Sequence, residues 1–313
     1  MADLVQQENN MVTFDSYSTS EEYDLLKIFG FNFFNLKNEY HFTSIDEIEN
    51  ENYYKKIISL LKSNKKVIYF IIKGDGWNLN KIELLKYSNF IVITSSTPPI
   101  SLLGYDNIFY NPLFSLAYFY YKFGINLFDV SPIESNKQYE IGFWYQENYR
   151  GDRDILVKKL KEKLSNLKIL EQKNNDNLLK NWNKDIIYAY KYWYTQFINF
   201  LDCKMFLSFE SCPQFSDIIF SSDKILKNFI LEKMGIPVYS IINKKLLNSL
   251  KEYGFQFLSD EPFGNNDIDK ILNITSMDYK VIQKICMEYK NLEKFENLIK
   301  NQYFYKELNK III

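Results

Sequence analysis

The stretch from residue 204 to residue 241 constrains the fold more than any other part of the chain. It opens with Met205–Phe209, a short apolar run typical of a buried strand. Ser221 and Ser222 can cap a helix that continues to Gly235, a residue that favours the left-handed end of a helix. Pro237 prevents that helix from continuing and begins the next strand. The pattern predicts a β-loop-α-β unit, whose loop follows the carboxyl end of a strand, where α/β folds hold ligands.

The start of this helix carries groups suited to a phosphate. Backbone N–H groups at a helix start attract anions, and Lys224 adds a positive charge beside them. Asp223 lies in the first turn, where an acidic residue is stabilised by the helix dipole. The competing interpretation is that Lys224 is a solvent-exposed lysine and Asp223 only an acid at a helix start.

Strands and helices alternate along the rest of the chain. Strands are predicted at 11–14, 31–36, 67–72, 90–93, 141–145, 167–170 and 255–258. Helices are predicted at 19–29, 44–61, 82–85, 113–123, 152–164, 178–201, 244–253, 268–272 and 277–300. In helix 152–164 the residues expected to face inward are Ile155, Leu156, Leu160 and Leu164. This alternation predicts an α/β fold with parallel, Rossmann-like sheets, divided near Asp129–Pro132 into a domain of residues 1–130 and a domain of residues 131–313.

Arg150 and Arg153 are the chain's two arginines among 38 basic residues, and they follow the predicted strand 141–145. A planar guanidinium binds phosphate through two parallel hydrogen bonds, which a lysine cannot reproduce. Two arginines three positions apart, where lysine serves everywhere else, therefore indicate a diphosphate site. The alternative is a structural pair that bridges Asp152 and Asp154. The run Asp152-Arg153-Asp154 nominally fits a metal-binding acid pair, but it lies at a predicted helix start, so we interpret it as helix capping and expect no metal.

The central stretch resembles the donor-binding motif of the α-1,3-fucosyltransferase family. In that family a YKF-like start is followed by FEN, an acid-lysine pair, a helix and PV. The matching segments here are Cys203-Lys204-Met205, Phe209-Glu210-Ser211, Ser222-Asp223-Lys224 and Pro237-Val238. Ser211 and Asp223 stand where the family has asparagine and glutamate.

The resemblance implies a GT-B glycosyltransferase with two Rossmann-like domains and a cleft between them. Its N-terminal domain would lie on the acceptor side, and its C-terminal domain would bind the nucleotide sugar. It further implies transfer of a sugar from a GDP-fucose-like donor to an acceptor hydroxyl, with inversion and without a metal. Asn148 with Arg150 or Arg153 matches the family's diphosphate-binding loop, and Glu210 would bind ribose or sugar hydroxyls.

Sugar transfer to a hydroxyl needs a general base, usually a carboxylate. Asp75 follows the clearest strand of the first domain and lies between two glycines, which permit a substrate to approach closely. Asp15 follows the first predicted strand. The alternative for Asp75 is an ordinary turn residue. His41 is the single histidine, so it lacks a histidine partner for metal binding, and we expect a structural role for it.

Composition narrows the partners and the compartment. The net charge of −1 argues against a general nucleic-acid binder. Three cysteines without a CxxC pair fit reduced thiols in the cytoplasm, and neither a signal peptide nor a membrane span is expected. The expected partners are a nucleotide sugar and a glycan or glycoconjugate acceptor. Two alternatives stay open: an exostosin-like GT-B transferase that uses a UDP-sugar, and a non-catalytic nucleotide- or glycan-binding protein.

Overall fold

The structure is a computed structural model, and it describes residues 13–14, 40–43, 48–71, 79–123, 136–144, 151–172, 200–210 and 222–312. These residues form two compact units. The first unit holds those within Met1–Tyr121 and Asn297–Ile313, and the second holds those within Lys122–Ser216 and Ser222–Glu296. The chain therefore enters the first unit twice. The predicted boundary between residues 130 and 131 lies outside the described residues.

Parallel strands form the centre of each unit. The strands are β1 (Thr13–Phe14), β2 (Tyr40–Thr43), β3 (Lys66–Ile71), β4 (Phe90–Thr94), β5 (Ile108–Tyr110), β6 (Tyr139–Trp144), β7 (Ile169–Gln172), β8 (Cys203–Phe209) and β9 (Val238–Ile241). Every strand pair among the described residues is parallel. The prediction of an α/β chain with parallel sheets is confirmed, and this architecture is compatible with a Rossmann-like fold.

The helices cover these sheets. They are α1 (Glu51–Lys62), α2 (Leu113–Phe123), α3 (Gly151–Lys163), α4 (Asp223–Lys233), α5 (Lys244–Glu252), α6 (Asp267–Ser276), α7 (Tyr279–Tyr289), α8 (Asn291–Lys300) and α9 (Tyr303–Ile312). Short 3-10 turns occur at Ile82–Lys86, Ile100–Leu102 and Leu258–Asp260.

The sheet of the first unit has the order β1-β2-β3-β4-β5, which follows the chain. All five residues of β4 are buried, as expected for a strand covered on both faces. Val67 and Tyr69 of β3 pack in one core with Ile57 and Leu61 of α1. His41 lies in β2, between Thr13 and Val67 of the neighbouring strands.

The sheet of the second unit has the order β7-β6-β8-β9. The chain passes from β6 to β7 on one side and later returns to pair β8 with the other side of β6. One face, which carries Ile141, Leu207 and Tyr239, packs against α3, α6 and α7. Asn228 of α4 bonds Ser240, which points to the opposite face because side chains alternate along a strand. Helices thus cover both faces of this sheet.

Two sequence predictions about this unit are wrong. Residues 255–258 are not a strand, because the amide and carbonyl of Gln256 bond the side chain of Asn291 instead of a neighbouring strand. Ile155 is 59% exposed, whereas Val157, Leu160 and Leu164 are buried. These three lie at spacings of three and four residues on one helix face, and Ile155 is two positions away, on the opposite face.

The C-terminal region contains more helices than expected. The single helix predicted at 277–300 is two helices, α7 and α8, separated at Lys290, which has the left-handed φ of 50°. The helix predicted from residue 44 is interrupted at Asn50, which caps α1; residues 48–49 are also helical, and residues 44–47 lie outside the described residues. Strands β2 and β5 and helix α9 were not predicted. The predicted strand 31–36, helix 19–29, most of helix 178–201 and the linker Asp129–Pro132 lie outside the described residues.

Candidate functional site

The carboxyl ends of β6 and β8 are the best candidate for a ligand site. These strands are hydrogen-bonded neighbours, with Phe143 opposite Leu207, and both run in the same direction. The strand order reverses between them, because β7 lies beyond β6 and β9 beyond β8. In open α/β sheets, ligands bind outside the carboxyl ends of the strands at such a reversal.

Both loops singled out in the sequence leave the sheet at this reversal. The first joins the end of β6 at Trp144 to the start of α3 at Gly151. The second joins the end of β8 at Phe209 to the start of α4 at Asp223. The topology therefore brings together the strand ends that carry the arginine-containing loop and the loop of the central stretch.

Glu210 is the first residue after β8 and is only 5% exposed. Its backbone N–H donates to the carbonyl of Ile241, 3.1 Å away, which extends the pairing of β8 with β9 by one residue. Its side-chain Oε1 accepts a short hydrogen bond from the hydroxyl of Ser222. The end of a strand is thus linked directly to the start of the following helix.

Ser222 is the N-cap of α4, as predicted. Its backbone is extended, and its Oγ accepts the N–H of Lys224 at 3.2 Å. Its carbonyl accepts the N–H of Ile225 at 3.3 Å. The backbone N–H groups of Lys224 and Ile225, which were expected to be free for phosphate, therefore bond Ser222. The acidic group beside this helix start is the carboxyl of Glu210. Such a corner suits a hydroxyl donor better than a second anion.

The other predicted site residues lie either at the starts of α3 and α4 or outside the described residues. Lys224 is half-buried in the first turn of α4. Asp223 begins α4, and Arg153 lies in the first turn of α3, as expected for the Asp152–Asp154 run at a helix start. Their side chains are outside the description. The predicted residues wholly outside the described part of the chain are Asp15, Asp75, Asn148, Arg150 and Ser211.

A buried polar group beneath α4 was missed by the sequence analysis. Asn228 is 1% exposed, and its Nδ2 donates to Ser240 Oγ at 3.1 Å. Its Oδ1 has no hydrogen-bond partner among the described residues. Ser240 lies opposite Ser208 of β8. The available signal was that Ser208 and Ser240 interrupt otherwise apolar strands close to their carboxyl ends.

Two cysteines can be assigned a structural role. Burial raises the pKa of Cys203 to about 12, and burial also raises the pKa of Cys286 well above its ordinary value. Neither thiol is therefore available as a thiolate nucleophile near neutral pH. Cys212 lies outside the described residues.

Among the described residues, no group of three or more His, Cys, Asp or Glu side chains is arranged to hold a metal ion. No helix in the described part of the chain combines the length and the apolar character needed to cross a bilayer.

Neither the protein-family models nor the curated proteins contain a match to this chain.

Proposed function

We propose that the protein is a glycosyltransferase that moves a sugar from a nucleoside-diphosphate donor to an acceptor hydroxyl. The observation that carries this proposal is the reversal of strand order between β6 and β8. Two loops with complementary chemistry leave the sheet there: one contains Arg150 and leads to Arg153 in the first turn of α3, and the other is flanked by the Glu210–Ser222 pair. A nucleotide sugar needs both chemistries, because it joins an anionic diphosphate to hydroxyl-rich rings.

The two strand-to-helix connections, called here the β6 corner and the β8 corner, would each bind a different part of the donor. The β6 corner, with Asn148, Arg150 and Arg153, would bind the diphosphate, because guanidinium groups match phosphate oxygens. The β8 corner would bind ribose or sugar hydroxyls, because the carboxyl of Glu210 already accepts one hydroxyl hydrogen bond, from Ser222. Lys224, in the first turn of α4, would add positive charge at the end of β8.

The proposed reaction is a displacement at the anomeric carbon of the donor sugar. The acceptor oxygen forms a bond with the anomeric carbon while the bond from that carbon to the diphosphate oxygen breaks. The acceptor proton passes to a carboxylate, for which Asp75 and Asp15 are the candidates. The electron pair leaves on the diphosphate, where Arg150 and Arg153 stabilise the developing charge. We place this chemistry in a GT-B enzyme with a GDP-fucose-like donor, inversion at the anomeric carbon and no metal requirement.

Nucleotide binding tests the site before any acceptor is known. Thermal unfolding is measured with GDP, UDP, ADP and CMP, and one diphosphate should raise the melting temperature through its preference for the folded state. Arg150→Lys or Arg153→Lys should weaken that nucleotide's binding about tenfold or more, since a lysine loses the paired hydrogen bonds. Lys159→Gln is the control, because it removes an exposed positive charge from the same helix, α3.

The outcomes separate the possible functions. Unchanged affinity in both arginine variants would refute the diphosphate site. Stabilisation by UDP instead of GDP would favour the exostosin-like alternative. Hydrolysis of the donor by the wild type and not by Asp75→Asn would support the enzyme, whereas tight binding without hydrolysis or transfer would identify a binding protein.

A further inference from the structure

Glu232, in the last turn of α4, is a buried acidic residue that the proposed function does not use. Its side chain is only 4% exposed. Its Oε2 accepts one hydrogen bond, from Asn291 Nδ2 at 3.0 Å. Among the described residues it has no ion-pair partner, and the end of a helix where it lies disfavours negative charge.

The groups around Glu232 supply little positive charge. On α7, the thiol of Cys286 and the phenol of Tyr289 are both buried, and Tyr289 donates to Glu261 at 3.1 Å. On α8, the charge of Lys294 acts on Glu232 and lowers its pKa. Its Nζ donates instead to the carbonyl of Gly254 at 2.7 Å and to Gln256 Oε1 at 3.2 Å.

Asn291 connects Glu232 to the rest of this region. Its Oδ1 accepts the backbone N–H of Gln256 at 3.0 Å, and its Nδ2 donates to the Gln256 carbonyl at 2.7 Å. It is also the first residue of α8, directly after the left-handed turn at Lys290. One buried amide therefore joins the end of α4, the start of α8 and the segment that contains Gln256.

We propose that the junction of Glu232, Asn291 and Gln256 is a proton-linked switch, closed while Glu232 carries a proton and opened when the proton is lost. An ionised carboxylate at this position is buried without a cation in contact, so it gains by reaching water. The route to water is separation of α4 from the start of α8. Phe255 and Phe257 pack on Phe229 of α4, so the segment of Gln256 stays with α4 and the separation breaks the bonds that Asn291 makes to Gln256.

The electrostatics agree with this geometry. Burial raises the pKa of Glu232 from 4.5 to about 8, against the opposing effects of the Asn291 hydrogen bond and the charge of Lys294. Between these two values the unfolded chain has lost a proton that the folded chain keeps. Protonated Glu232 therefore stabilises the folded chain fully below the unfolded pKa of 4.5. This contribution to the free energy of unfolding decreases as the pH rises towards 8, and above pH 8 it no longer changes.

Urea unfolding between pH 5 and pH 9 tests the switch with the wild type, Glu232→Gln and Glu288→Gln. Glu288 is an exposed acidic residue on α7 and gives the matched control. Relative to Glu232→Gln, the unfolding equilibrium constant of the wild type should rise by up to tenfold per pH unit until about pH 8. Glu288→Gln should follow the wild type. Parallel profiles for the wild type and Glu232→Gln would overturn the proposal.

Hydrogen exchange on the wild-type protein gives a second test that needs no variant. After correction for the intrinsic rate, the Gln256 amide should lose protection as the pH rises towards 8, because its acceptor is Asn291. The Leu207 amide in β8 should stay the more protected of the two at every pH, because only global unfolding exposes it. Constant protection of Gln256 would show that the junction stays closed, and the switch would be rejected.

Discussion

At the scale of single residues, the bond between Ser222 and Glu210 is the feature that fixes the candidate site. A serine at the start of α4 would cap the helix alone, but here its hydroxyl also donates to a buried carboxyl. The cap was predictable, because Ser222 precedes an apolar pattern of helical period. The partner was not, since Glu210 lies 12 residues earlier and the path of the loop between them is not encoded in local periodicity.

Replacing Ser222 tests this coupling. Ser222→Ala should lower the free energy of unfolding by about 2–4 kcal/mol, the sum of a lost cap and a buried carboxyl without its hydroxyl donor. Asn266→Ala is the control, since Asn266 caps α6 with an exposed side chain and should cost about 1 kcal/mol. Urea unfolding measures both, and equal losses would show that the Glu210 contact adds nothing.

At the scale of elements, Gly142 of β6 leaves space for Phe200, which precedes β8, and for Cys203, the first residue of β8. A Cβ at this position would lie 2.6 Å from the ring of Phe200 and 2.5 Å from the sulfur of Cys203. Phe200 in turn packs on Phe206 of β8, with ring centroids 4.5 Å apart. The glycine therefore leaves room for an aromatic ring on the sheet.

An added methyl group should disturb this packing. Gly142→Ala is expected to destabilise the protein by about 1–3 kcal/mol, because the surrounding atoms must move. Gly104→Ala gives the comparison, since a Cβ there meets nothing within 4 Å. Thermal unfolding distinguishes the two, and an unchanged melting temperature for Gly142→Ala would contradict the packing described.

The predictability of the elements follows from their burial. Strands β3, β4 and β8 were found from sequence because burial on both faces produces largely apolar runs. Strand β2 (Tyr40–Thr43) was missed because its four residues include polar ones, and β5 because it has three residues, none fully buried. The segment at Gln256 was misassigned because a buried extended chain has the composition of a strand even when Asn291 takes its hydrogen bonds.

At the scale of the whole molecule, helix α9 belongs to the first unit, together with the described residues of Met1–Tyr121. Tyr303 accepts a hydrogen bond from Asn111 Nδ2 at 2.8 Å, and the rings of Phe304 and Phe114 lie 6.1 Å apart. A contact between residues so distant in sequence leaves no local pattern, so the return of the chain could not be predicted. The alternation of strands and helices did predict the α/β class.

The contribution of α9 to the first unit can be measured by a substitution within it. Phe304 is 2% exposed, so Phe304→Ala should lower the free energy of unfolding by about 3–5 kcal/mol through the cavity it leaves. Lys306→Ala, at an exposed position of the same helix, should change it by less than about 0.5 kcal/mol. Calorimetry reports both values, and similar effects would mean that α9 contributes little.

The return of α9 also affects how the protein is made. Asn111 leaves the ribosome 192 residues before Tyr303, which corresponds to roughly 10–40 seconds of synthesis at ordinary rates. Throughout that interval, the apolar surface of α2 that Phe304 later covers remains open to water and to other nascent chains. If a chaperone released the chain during this interval, the apolar surface of α2 would be exposed to aggregation. Although α2 is synthesised before α9, it would reach its native packing only after α9 had docked.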